Sequence, residues 1–110
     1  MRFTRTDIDE LGVGDIVRVR RSLYWHYGVF CGNGGIIHFT SYPNHFWNVG
    51  AEVKETSLFE FLKSSAYLEV IHASTFSPTR TLEIASGKLG ERGYSIFTNN
   101  CRHFVWSCLA

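Results

Sequence analysis

Along Asp15 to Arg20 (DIVRVR) apolar and charged positions alternate, with Val17 and Val19 on one side and Arg18 and Arg20 on the other, the period of a half-buried strand. Two more apolar runs, His26 to Cys31 (HYGVFC) and Ile36 to Thr40 (IIHFT), flank Gly32-Asn33-Gly34-Gly35, residues that tolerate positive φ; this predicts a β-hairpin. Ser57 to Leu62 (SLFEFL) opens with a serine followed three residues later by Glu60, the capping-box spacing, and predicts a short helix. Tyr67 to Ala73 (YLEVIHA) predicts a further strand. From Ser77, Pro78 suits a first helical position, Leu82, Ala85 and Leu89 recur at near-helical spacing, and Gly90 offers a stop. After GYSIFT, Asn99 or Asn100 can cap a last helix, CRHFVWSCL, whose positions 101, 104, 105 and 108 share a face. Strands first and helices at both flanks predict an α+β fold, an antiparallel sheet with flanking helices.

Composition narrows this. The 110 residues suit a single domain, 1–110, with no repeat, low-complexity tract or linker. At 45% hydrophobic and 19% charged, the chain can bury a core that offsets its ordering entropy. A net charge of +1 without a long basic run argues against nucleic acid as a partner. Arg18, Arg20 and Arg21 cluster locally and read as a solvated strand edge in preference to an anionic head-group site. The N-terminus lacks the apolar stretch of a secretory signal and no run approaches the ~18 apolar residues of a membrane span, so a cytoplasmic location is expected. Three cysteines at irregular spacing match neither a disulfide framework nor paired zinc ligands, so reduced thiols and no metal or other cofactor are expected.

The candidate chemistry centres on Cys101. In the first turn of a helix it meets unpaired backbone N–H groups and the positive end of the dipole, both of which favour thiolate, and the same N–H groups can hold an oxyanion. Such a nucleophile works with an imidazole that takes its proton and returns one to the leaving group. Of five histidines, His26 and His38 stand on the two arms of the predicted hairpin, and the parity of their positions puts them on one face if the loop has three or five residues. Near-diagonal neighbours there lie ~5–8 Å apart. Taken singly, a cysteine or histidine in an aromatic-rich chain is more often core than catalyst; the set of three is what points to chemistry. Cys31, inside a strand, is assigned to the core. So is Cys108, ~10 Å along the helix from Cys101 and out of disulfide reach. His45, in the aromatic loop Tyr42 to Trp47, is a candidate for a substrate entrance, and His72 and His103 are read as structural.

The segment GDIVRVRRSLYWHYGVFCGNGGIIHFT resembles the H-box of the lecithin:retinol acyltransferase-like proteins, and NNCRHFV resembles their asparagine-cysteine box. Both occur in the family's order, across Gly14 to about Val105. The resemblance implies a circularly permuted papain-like fold, with His26 as base, His38 as third triad member and Cys101 as the nucleophile that forms a thioester. Tyr24 matches a family tyrosine near the active site, which implies help to the oxyanion. Arg102 stands where many members carry glutamate. The sequence ends at Ala110 without the hydrophobic anchor of the animal phospholipid-modifying members, so membrane contact is expected to be transient. The segment between Thr40 and Ser77 diverges most, and substrate selection is expected there. The leading reading is therefore a cysteine-dependent acyltransferase or acyl hydrolase acting on an acyl-bearing small molecule or lipid. The alternatives are a cysteine peptidase or amidase of the same superfamily and a non-catalytic interaction module.

Overall fold

Alternation of apolar and polar residues, repeated in segment after segment, is met by pairing the segments into one sheet with two covered faces. The computed structural model describes residues 2–4, 8–21, 24–40, 52–63, 65–72, 78–92 and 100–109. Its strands are β1 (Arg2–Thr4), β2 (Ile16–Arg20), β3 (Trp25–Gly32), β4 (Gly35–Thr40), β5 (Glu52–Ser57) and β6 (Tyr67–His72). They form a single antiparallel sheet in the order β1-β6-β2-β3-β4-β5. Three α-helices, α1 (Leu58–Leu62), α2 (Pro78–Gly87) and α3 (Asn100–Ser107), and a short 3-10 turn at Ile8–Glu10 complete the described elements. The α+β expectation holds. None of the described helices is long and apolar enough to cross a membrane.

Because successive side chains of a strand point to opposite faces, the sheet carries two cores. On one face Ile16, Val29, Ile37, Phe39 and Val53 pack with Ala85 of α2 and with Phe104, Val105 and Cys108 from the C-terminal half of α3 and the turn after it. On the other, Val17, Val19, Phe30, Ile36 and Leu68 pack with Leu58, Phe61 and Leu62 around α1. Helix α1 is only five residues long, too short to persist on propensity alone. Hydrogen bonds at both ends secure it. Ser57 is its N-cap, accepting at Oγ from the Glu60 N–H at 3.2 Å as the capping-box spacing predicts. The Leu58 N–H donates to the Gly34 carbonyl at 2.8 Å. At its C-terminal end the Arg21 guanidinium donates to the Phe61 carbonyl at 2.7 Å.

Both edge strands, β1 and β5, are additions to the sequence expectation. The outer edge of β5 is covered: Val53 donates its N–H to the Glu91 carbonyl at 2.9 Å and accepts from the Gly90 N–H at 2.7 Å. Helix α2 stops at Gly87, before the expected Gly90, because Lys88 and Leu89 turn their N–H groups to carbonyls three residues back. Leu89 consequently lies in the turn and is exposed. Helix α3 begins at Asn100, and Cys108 and Leu109 form a tighter turn after it.

The arginine cluster departs from expectation. Strand β2 sits between β6 and β3 and is not a sheet edge. Arg18 donates to Glu69 at 2.9 Å and lies 3.9 Å over the Trp25 ring, and Arg21 caps α1. Only Arg20 of the three is exposed.

The β3–β4 hairpin also differs in detail. Asn33 and Gly34, at φ 52° and 75°, form a two-residue turn with the positive φ at both positions that suits the twist of the flanking strands. The expected loop of three or five residues is not used. A bulge compensates: pairing runs Gly32 with Gly35 next to the turn, then shifts by one so that Phe30 meets Ile36 and Val29 meets Ile37. The two-residue turn alone would send His26 and His38 to opposite faces, and the extra residue restores them to the same one.

Candidate active site

One step beyond the Val29–Ile37 pair, Gly28 stands across from His38, and His26 lies two residues along on the same face. Both imidazoles are buried, at 6% exposure for His26 and 2% for His38. His26 Nε2 lies 2.7 Å from His38 Nδ1, so one ring donates to the other. On its far side His38 Nε2 lies 2.7 Å from Thr56 Oγ1, on edge strand β5. The hairpin reading thus brings together the two histidines that the sequence singled out. Thr56 is the residue that reading missed.

Phe61 of α1 covers the pair, its ring centroid 5.4 Å from that of His26 and 5.0 Å from that of His38. The absence of a side chain at Gly28 makes room for it, since a Cβ there would sit 2.9 Å from the Phe61 ring and 2.5 Å from Ile36 Cγ2. Tyr24, half exposed at 52%, stands edge-on to His26 with centroids 6.4 Å apart. It is placed at the mouth of the imidazole pair and not inside it.

Burial is the first reason that both imidazoles stay neutral. Desolvation holds His26 well below its ordinary value, reinforced by the positive charge His38 would carry and by Arg21 and Lys63. His38 is pushed down to about 3, again by burial first and then by Arg21, Lys54 and Lys63. Among the described residues no carboxylate is bonded to either ring to offset the cost of charging it. Each imidazole is therefore unprotonated near neutral pH and has a lone pair to accept a proton, with a basicity that burial lowers.

Cys101 lies in the first turn of α3, as the sequence predicts, but its side chain is outside the described residues. The described part of α3, Phe104 onward, packs over the sheet face opposite the histidines. Asn99 and the loop carrying His45 lie outside the described residues, as do the side chains of His72 and His103. Cys108 is fully buried, and burial raises its thiol to about 11. Cys31 is only half-buried, at the bulge, and desolvation followed by Glu55 pushes it up to about 12. Neither is a thiolate at neutral pH. Among the described residues no three His, Cys, Asp or Glu side chains converge to hold a metal.

An antiparallel sheet with a buried, internally bonded imidazole pair is followed in the chain by a cysteine at a helix start, and histidine and cysteine are residue types that covalent acyl transfer uses. The chain belongs to the lecithin retinol acyltransferase family, whose model matches residues 9–110. It is 26% identical over 117 residues to the phospholipase A and acyltransferase 3 of Homo sapiens and to that of Pongo abelii, in matches covering 92% of this chain and 72% of each relative.

Proposed function

We propose that this protein is a cysteine-dependent acyltransferase or acyl hydrolase acting on a lipid ester, with Cys101 as nucleophile, His26 as general base and His38 as the group that orients His26. The observation that carries the reading is the 2.7 Å bond between two buried, neutral imidazoles in a member of this family. It engages His26 through Nε2 and leaves Nδ1 as the nitrogen available to a thiol. The chain order His, His, Cys fits a circularly permuted papain-like arrangement.

Because the described part of α3 packs on the other face of the sheet from His26, the reading requires the first turn of α3 to bring Cys101 round to the histidine side. In the first half-reaction the Cys101 thiol then gives its proton to His26 Nδ1 while sulfur attacks the ester carbonyl. In this reading the backbone N–H groups of the first turn of α3 hold the oxyanion, assisted by Tyr24. Collapse of the tetrahedral species breaks the carbon–oxygen bond, His26 returns the proton to the leaving alkoxide, and a thioester remains on Cys101. Water, an alcohol or an amine, deprotonated by His26, then attacks the thioester, and the proton passes back to the thiolate. The relatives' name, phospholipase A and acyltransferase, supports a phospholipid as acyl donor.

Two measurements test this on phosphatidylcholine vesicles. Turnover by Cys101→Ala is expected to fall to background, and intact mass spectrometry is expected to find one acyl mass on the wild-type protein and none on the variant. Undiminished turnover by Cys101→Ala overturns the assignment.

A further inference from the structure

We propose that Thr56 is a positioning residue that sets the tautomers of both histidines, so that the ring nitrogen left without a proton is Nδ1 of His26. The functional meaning rests on the reading of His26 as general base; the tautomers themselves do not. The argument is one of donor counting along three bonds in series. Thr56 Oγ1 lies 3.2 Å from the carbonyl oxygen of Ser57, which can only accept, so the hydroxyl donates there. A hydroxyl has one proton. With it committed, Oγ1 meets His38 Nε2 at 2.7 Å only as an acceptor, and His38 carries its proton on Nε2. Neutral His38 is then bare at Nδ1 and accepts from His26 Nε2 at 2.7 Å. His26 thereby keeps its own proton on Nε2, and Nδ1 is the base.

The opposite polarity uses the same atoms to the opposite effect. If Thr56 donated to His38, each ring would be protonated at Nδ1, and His26 would present a proton where it must accept one. The Ser57 carbonyl selects between the two. As a backbone group it does not titrate, so the direction of the series is independent of pH, unlike one anchored on a carboxylate. Phe61, packed against both rings, holds them against a flip that would exchange the nitrogens. Strand pairing puts Thr56 in place: His38 is opposite Lys54, and Thr56, two residues along, shares that face.

Long-range proton–nitrogen NMR on histidine-labelled protein reads the tautomers directly. In the wild type, protonated Nε2 and bare Nδ1 are expected at both rings. Thr56→Ser keeps the hydroxyl and is expected to keep the pattern. Thr56→Val removes it at nearly constant shape and is expected to give mixed or reversed tautomers at His38. Turnover of phosphatidylcholine is expected to follow, with kcat lowered about tenfold in Thr56→Val at unchanged KM and restored by Thr56→Ser. A proton on Nδ1 of His38 in the wild type overturns the proposal, as do unaltered tautomers in Thr56→Val. If the tautomers are as expected but Cys101→Ala stays active, the base assignment falls and the tautomer assignment stands.

Discussion

The two faces of the sheet solve the problem of burial differently. The face under α2 and α3 is filled with aliphatic and aromatic side chains: Ile16, Val29, Ile37, Val53 and Phe104 are fully buried and bring no polar atom with them. The face under α1 admits two imidazoles, each of which must be satisfied by a specific neighbour because an unbonded buried polar group costs about 1–3 kcal/mol. A five-residue helix covers them, held by a cap, the carbonyl of a hairpin-turn residue and one arginine. One face stabilises through area, the other through arrangement. The proposed chemistry is assigned to the face where the packing is conditional.

Truncation tests this difference most strongly. Phe104→Ala and Phe61→Ala remove fully buried rings from the two faces, and each is expected to cost about 3–5 kcal/mol in urea unfolding. Only Phe61→Ala uncovers the histidines, so only it is expected to raise the titration midpoint of His38 by NMR. Equal midpoints in the two variants would mean that the faces are not distinct.

Acid is expected to act through the α1 face. Unfolded, each imidazole binds a proton below about 6.5; folded, each is held neutral well below that. The unfolded chain therefore gains protons that the native protein does not. The histidine contribution is complete above pH 6.5 and is lost as pH falls toward the depressed folded values. By pH 5 this amounts to roughly 2 kcal/mol for His38, and His26 acts in the same direction. A stability profile as steep in the His26→Asn/His38→Asn variant as in the wild type would refute it.

The smallest of these effects sharpens the comparison. Gly28→Ala puts a methyl group against Phe61 and Ile36 and is expected to cost about 1–3 kcal/mol through overpacking. A larger loss in phosphatidylcholine turnover than in stability, measured side by side, is expected because the displaced ring is the one that holds the histidines.

The sequence made the central part of this arrangement legible and hid its periphery. Strands β2, β3, β4 and β6 could be read because both their faces are claimed by cores and their apolar content is high. Strand β5 could not: among EVKETS only Val53 is apolar, and charge is what an edge strand carries to resist pairing. Thr56 was missed with it, since a threonine in an unrecognised strand has no visible partner. The pairing of His26 with His38 was anticipated by parity, although through a loop length the chain does not use. Ser57 announced its cap because that signal is local. Placement of Thr56 at His38 depends on a pairing between strands separated in sequence, which no local spacing reports.

The bulge between Phe30 and Gly32 gives the twelve-residue interval between the histidines an arithmetic character. Losing or gaining one residue inside the hairpin would turn one imidazole to the opposite side of the sheet while leaving every residue type intact. Within this hairpin, length is inherited in steps of two. Grafting the histidines into another protein would require carrying the surplus residue with them, and the count between them is as much a part of the motif as the letters.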